Sequence, residues 1–407
     1  MTRILKETAI ILIIFSFLFL IINIGAWYFL DTRSDNFQSW SERVEVRPQS
    51  RKGIELRKKI LNTQDENYLK RLDAYPALRP HPVLQFTSGF TKGEYTVGLE
   101  GVRYLPNWDD KYVENILKGN NAGYVFGGST TFGHGVSDHQ TLVAYLNEYD
   151  KNLTWLNFGV NAYDSIRETD KLLHLLRQGY RPKSVLFLDG LNDLTTFMAS
   201  PYRSADKPRT QAFLIDRGNP SLIFGTPTLR NMLLAFAYAF PITHLYFYLT
   251  ENYSDIEYGT LDGNKDRLDY RLMSWHYKYS FEYSRNHAQQ INLQWVDHYK
   301  KNISFITELG KTFGFKTIFV FQPNGYMEKD NPFMTDKYKL SPRRELAINF
   351  NNNARNKIAE GELNMFDCLG AFENFDGSYA FVDAIHYSPQ GNKKLVECLM
   401  EAINNKQ

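Results

Sequence analysis

From residue 123 onward, short apolar runs that end in glycine alternate with amphipathic stretches that open on capping residues. Tyr124 to Phe126 ends in Gly127-Gly128 and predicts a buried strand that presents Ser129 at its carboxyl edge. Ser137-Asp138-His139-Gln140 has the form of a capping box, and Leu142, Val143 and Leu146 give the helix after it an apolar face. Trp155 to Val160 predicts a second strand. Ser165-Ile166-Arg167-Glu168 predicts a second capped helix, with Leu172, Leu173, Leu175 and Leu176 inward and a stop at Gly179. Ser184 to Leu188 predicts a third strand. The pattern breaks between about Thr195 and Gln290 and then resumes. Val296 to Leu309 predicts a helix closed by Gly310, Lys316 to Phe321 a fourth strand, Glu345 to Glu360 a helix, and Asn364 to Leu369 a fifth strand. Ser388 is a good N-cap for a last helix, with Pro389 at its first position and Leu395, Val396 and Leu399 facing inward. Strands separated by helices of this length imply right-handed crossovers and a parallel sheet of about five strands covered on both faces, the α/β class.

The N-terminal part follows another pattern. Ala9 to Leu30 is apolar and uncharged. As a helix it would be about 33 Å long, enough to cross a bilayer core. Trp27 and Tyr28 sit near one end, where amphipathic rings favour the interface. Residues 1–8 are then a short tail and 9–30 an uncleaved transmembrane signal-anchor. Arg3 and Lys6 precede the run while Arg33, Arg43 and Arg47 follow it, so flanking charge does not settle orientation. Residues 31–75 are dense in charge and predict a solvated helical stalk. Arg79-Pro80-His81-Pro82 predicts an extended or turn-like piece, and the glycines up to Gly101 a small hairpin region. The main domain then covers 76–407, interrupted by the insertion at about 195–290. Within that insertion Met232 to Leu249 is apolar; a helical lid over the site is the preferred reading and a second membrane span the alternative.

Composition adds little to this and excludes some classes. A chain of 407 residues with 29 Phe and 26 Tyr can bury a sizeable core, and a net charge of +2 gives no reason to expect a nucleic-acid partner. The two cysteines, Cys368 and Cys398, form no metal-type cluster; they either pair or stay as buried thiols.

Four features fall where strands end. Ser129 follows the first, Gly159 closes the second, Gly190-Leu191-Asn192-Asp193 follows the third, and Asp383-Ala384-Ile385-His386 lies between the fifth strand and the last helix. Loops at the carboxyl ends of parallel strands converge on one crevice, so these residues can meet there. A serine hydroxyl needs a base, and His386 supplies one. Asp383, three residues earlier, can hold the other ring nitrogen and fix the tautomer. The backbone N–H groups of Ser129 and Gly159 and the amide of Asn192 are the natural oxyanion donors. His134 reads as a solvent-facing histidine at a helix entry, and Gln322, at the end of the fourth strand, as a residue lining the pocket. An α/β-hydrolase elbow would need Gly-x-Ser-x-Gly, and Gly127-Gly128-Ser129-Thr130-Thr131 lacks the last glycine.

On these blocks the chain resembles the SGNH hydrolases of the GDSL-like esterase/lipase superfamily. The naming residues occur in order as Ser129, Gly159, Asn192 and His386, the third block as Gly190-x-Asn192-Asp193 and the last as Asp383-x-x-His386. The resemblance runs from about Arg79 to the C-terminus, with the insertion its least matched part. It implies a flavodoxin-like, three-layer α/β/α fold. One departure is Gly128, where many members carry aspartate; this brings the chain closer to a membrane-anchored Gly-Gly-Ser-Thr type than to secreted lipases. The expectation is a metal- and cofactor-independent serine esterase, single-pass, with its C-terminal domain periplasmic or extracellular. Its substrate would be an ester, preferably a sugar O-acetyl group of an envelope glycan. An O-acyltransferase using the same residues, a silent glycan-binding or assembly subunit, and a lipid-processing enzyme are the alternatives.

Overall fold

The computed structural model of this chain describes residues 14–26, 28, 48, 50–74, 78–81, 84–89, 93–193, 242, 288–328, 330–334, 342–373, 375 and 379–405. The chain divides into two compact units, one of residues 1–41 and 199–283, the other of 42–198 and 284–407. In the first, residues 14–26 are helical, with exposed apolar side chains such as Phe15, Phe17 and Ile24. Among the described residues no helix is long and apolar enough to cross a membrane, and residues 9–13, 27, 29 and 30 of the expected 9–30 span lie outside them. The expected lid also lies outside them, Ile242 apart.

The second unit carries a five-stranded parallel sheet: β3 (Ala122–Gly127), β4 (Thr154–Asn157), β5 (Ser184–Asp189), β6 (Lys316–Phe321) and β7 (Phe366–Asp367). A hairpin of β1 (Leu78–His81) and β2 (Gln85–Ser88) precedes it. The sheet order is β4-β3-β5-β6-β7. Counted from β3 this is the 2-1-3-4-5 order of flavodoxin-like sheets, whose topological switch point lies between β3 and β5.

The α-helices of this unit are α1 (Arg51–Ile60), α2 (Glu66–Asp73), α3 (Asp110–Lys118), α4 (Ser129–Phe132), α5 (Leu142–Tyr149), α6 (Ser165–Arg177), α7 (Ala288–Phe313), α8 (Pro342–Ala359) and α9 (Pro389–Asn405). Alternate strand residues point to opposite faces, and the two faces are built differently. On one, Val125, Leu186, Leu188, Ile318 and Val320 pack with Leu142, Val143 and Leu146 of α5 and Leu395, Val396 and Leu399 of α9. On the other, rings form a ladder across the strands: Phe126 stacks on Phe158 at 5.4 Å and on Phe187 at 5.2 Å, and Phe187 on Phe319 at 5.5 Å. Trp295 of α7 closes this side against Phe321 and Phe350. Full burial of each such ring is worth about 1.5–3 kcal/mol, with about 0.5–1.5 kcal/mol more per well-placed pair.

Several boundaries differ from expectation for identifiable reasons. The Ser137 capping box closes a 3₁₀ turn over 138–140, and α5 opens one residue later on Thr141, whose hydroxyl accepts from Ala144 N–H. For α6 the N-cap is Asp164, not Ser165, because the Asp164 carboxylate takes the Arg167 N–H. Helix α7 runs through Gly310, which packs close to Phe315 and Thr317, and the left-handed residue past the helix end is Gly314 at φ 78°. The second and fifth strands are shorter than expected, four and two residues, since the chain leaves the sheet edge early.

Where the expected stalk is described, residues 50–74, it is a packed helix pair and not a solvated one. Ile60, Leu61, Leu69 and Leu72 join Tyr95, Val97, Phe132, Val136, Phe333 and Val382 in a second apolar cluster. Arg57, only 2% exposed, pairs with Asp73 at 2.8 Å. Arg57 apart, the dense charges lie towards the outer faces of α1 and α2 and mask an inner apolar stripe. The cysteines form a disulfide, Cys368–Cys398, which ties the segment after β7 to α9 across a separation of 30 residues. By chain entropy a loop of that size is worth about 3–4 kcal/mol.

If α1 and α2 support the domain, Leu72→Ala, at a fully buried position, costs about 2–5 kcal/mol. Urea unfolding should then show a lower midpoint at unchanged m-value. A loss within about 0.5 kcal/mol, as at an exposed site, would mean that the pair is a free stalk after all.

Candidate active site

The Ser129 loop is built at the end of β3. Gly127 ends the strand, Gly128 is the N-cap, and Ser129 is the first residue of the one-turn helix α4, which Gly133 ends in the left-handed region at φ 85°. Ser129 is half-buried. Between β7 and α9, Asp383 Oδ1 accepts the backbone N–H groups of Ile385 at 2.8 Å and His386 at 2.7 Å, an Asx turn that fixes the loop. Val382 N–H donates to His386 C=O at 2.9 Å and closes the loop at its base.

These two loops meet. His386 Nδ1 lies 2.6 Å from Asp383 Oδ2, and His386 Nε2 lies 2.8 Å from Ser129 Oγ. With Asp383 ionised, the consistent tautomer has Nδ1–H donating to Asp383, which leaves Nε2 to accept the serine proton. Burial pushes the Asp383 carboxyl up, but the His386 charge and its hydrogen bonds more than offset this and hold it well below the usual carboxylate range. The arrangement can therefore take a proton from Ser129 and stabilise the resulting imidazolium.

Asn192 reaches the same place from the end of β5. Its Nδ2 donates to Tyr163 C=O at 2.6 Å. A Cβ on Gly128 would lie 1.8 Å from that nitrogen, so a glycine before Ser129 is what admits the amide. The neighbouring Ala162 is in the left-handed region at φ 66°, a conformation that costs a non-glycine residue on the order of 1 kcal/mol.

Gly159 is placed differently from expectation. Its N–H donates to Asn157 Oδ1 at 2.9 Å, and an added Cβ would lie 2.3 Å from Phe132 N. Asn157 Nδ2 in turn donates to Thr131 C=O at 2.9 Å. This glycine serves close packing behind α4 and does not offer its N–H to an oxyanion. His134 is also not solvent-facing: its ring lies 4.3 Å from that of His386 at an interplanar angle of 31°. Burial, then repulsion from a charged His386, lowers His134 to about 3, so it is neutral at working pH.

Gln322 does not line an open pocket but is buried as a clasp. Its Oε1 accepts from Thr130 Oγ1 at 2.7 Å and from Tyr387 OH at 3.1 Å. Thr130 follows the nucleophile and Tyr387 follows the histidine, so one side chain at the end of β6 ties both loops. Tyr387 OH lies closer still to Pro323 C=O, at 2.6 Å.

Two further supports lie outside the residues expected at the site. Arg103, 1% exposed, donates to Asp138 at 2.9 Å and to the carbonyls of Phe132, Gly133 and Val136 at 2.7 Å each, and so pins the loop that follows α4. A lone arginine in a glycine-punctuated loop reads as surface until its carbonyl partners are seen. Behind Asn192, the acids Glu168, Asp189 and Asp193 lie buried together with Tyr299. Asp193 Oδ1 accepts from Ser165 Oγ at 2.7 Å and so links the Asn192 turn to the start of α6. Burial first, then mutual repulsion, pushes Glu168 and Asp193 well above the carboxylate range; burial also raises Asp189, to about 6.

No protein-family model and no curated relative matches this chain. Among solved structures it is similar to an extracellular lipase from Streptomyces rimosus, at 12% identity over 69% of this chain and 99% of that one, with a TM-score of 0.36. It is similar to a member of the lipolytic G-D-S-L family from Veillonella parvula, at 11% identity over 70% and 98% of the two chains and a TM-score of 0.34. A GDSL-like lipase from Bacteroides thetaiotaomicron is similar at 11% identity over 70% and 89%, with a TM-score of 0.30.

Gln322→Ala removes the acceptor shared by Thr130 and Tyr387. If that clasp sets the distance between serine and histidine, the variant stays folded and kcat for p-nitrophenyl acetate falls about 10- to 100-fold with KM little changed. A rise in KM at unchanged kcat would instead make Gln322 a substrate-binding residue.

Proposed function

We propose that this chain is a serine esterase of the SGNH type. The observation that carries this reading is the Asp383–His386–Ser129 chain of hydrogen bonds, at 2.6 and 2.8 Å, in the crevice at the switch point of the sheet. Ser129 Oγ attacks an ester carbonyl while His386 Nε2 takes its proton. The carbonyl oxygen becomes an oxyanion, received by the Ser129 N–H and the Asn192 amide. The intermediate then collapses, the C–O bond to the alcohol breaks, and His386 returns its proton to the leaving oxygen. Water next attacks the acyl-serine carbonyl and gives a proton to His386, and the acid leaves as Ser129 is restored.

We assign the substrate to the class of short acyl esters, with sugar O-acetyl groups preferred, and place the enzyme at a membrane with this domain outside the cytoplasm. The exposed apolar side chains of the 14–26 helix support the anchor, since such a surface is costly in water. The Cys368–Cys398 disulfide supports an oxidising compartment.

The test uses the full-length protein with fluorophosphonate labelling and p-nitrophenyl acetate turnover, beside Ser129→Ala and His386→Ala. The reading predicts labelling of wild type alone and a loss of turnover on the order of 10³-fold or more in both variants. Acetylated oligosaccharide should be turned over faster than a long-chain ester. Folded wild-type protein that neither labels nor turns over sinks the esterase reading, and a preference for the long-chain ester sinks the substrate class alone.

A further inference from the structure

The chemistry proposed for Ser129, His386 and Asp383 makes no use of His134, yet the fold brings that side chain against them. His134 directly follows Gly133, and its backbone N–H donates to Ser129 C=O at 3.0 Å, so its position is tied to the nucleophile turn. One ring nitrogen of His134, one of His386 and one carboxylate oxygen of Asp383 all lie within 4.8 Å of one another. Ligands about 2.0–2.2 Å from a tetrahedral zinc ion stand about 3.4 Å apart, so a modest rotation of the His134 ring brings the two imidazoles to that spacing.

We propose that His134 and His386 form a binding site for a zinc-type divalent cation that shuts the active site reversibly. Asp383 occupies His386 Nδ1, so Nε2 is the nitrogen left for the metal; it is also the nitrogen that holds Ser129 Oγ at 2.8 Å. Asp383 then plays the part of an outer-shell carboxylate on a metal-bound histidine, a pairing that orients the ring and raises its basicity. Metal on Nε2 removes the base from Ser129. Two imidazoles select zinc, copper, nickel or cobalt over magnesium and calcium, which prefer all-oxygen shells. No bond in the protein is made or broken, and chelation restores the site. The inhibitory consequence rests on the esterase reading; the binding of metal does not.

The experiment therefore measures binding and inhibition separately. Full-length protein is stripped with chelator and titrated with Zn²⁺ against a chromophoric chelator, while fluorophosphonate labelling is followed in parallel. His134→Phe keeps a ring against His386 without a ligand nitrogen, and His134→Asn serves if the phenylalanine variant misfolds. The account predicts that Zn²⁺ binds and blocks labelling, that chelator reverses this, and that Mg²⁺ and Ca²⁺ have no effect. In the His134 variants, affinity and inhibition should both weaken at least about tenfold relative to each variant's own metal-free state, the loss typical even of an outer-shell partner. Equal Zn²⁺ affinity and inhibition in wild type and variants would overturn the site. Metal binding that depends on His134 in a protein that never labels would keep the site and sink the esterase reading.

Discussion

Ser129 and His386 are 257 positions apart in the chain, and the 2.8 Å hydrogen bond between them is the constraint that the rest of this domain satisfies. A general base must come within about 2.6–3.2 Å of the group whose proton it takes, so both loops must be held to that range. The sheet does the coarse placement: its strands are all parallel, so the segments that follow β3 and β7 leave it on the same side. The fine placement comes from polar side chains. Gln322 ties Thr130 to Tyr387, Arg103 holds three carbonyls of the turn after the nucleophile, and Asp383 braces its own loop through two backbone N–H groups. Helices α1 and α2 add an apolar support that reaches Phe132 on one loop and Val382 on the other.

Environment sets the charge on identical side chains here. Asp383 is half-buried and surrounded by donors, and it stays ionised. Glu168 and Asp193 are buried among other acids and are held towards the neutral form. The neutral form adds an O–H donor, so Glu168 and Asp189 can share a proton. That buried cluster joins the Asn192 turn to the start of α6 and keeps two sides of the crevice in register.

Much of this was legible in the sequence, for reasons that differ from element to element. Strands β3, β5 and β6 are buried on both faces, so they read as continuous apolar runs, and α9 announces itself through Ser388-Pro389. The three residues of the hydrogen-bonded chain were readable because they sit in short blocks at strand ends. Gly159 was misread because a glycine serves close packing and backbone donation equally well, and only its neighbours, Asn157 and Phe132, decide. Ala162 gave no warning, since alanine is not the residue that left-handed backbone ordinarily selects. The pair α1 and α2 was hidden by its own charge: with six basic residues among thirteen from Arg47 to Lys59, an apolar stripe is hard to see.

The central claim is that Ser129 becomes covalently acylated with His386 as its base. Intact-mass spectrometry after brief mixing with p-nitrophenyl acetate tests it most directly. The account predicts wild-type protein heavier by one acetyl group, the adduct mapping to Ser129 after digestion, and no adduct in His386→Ala on the same timescale. An adduct on another residue, or one that forms as fast without His386, would contradict it.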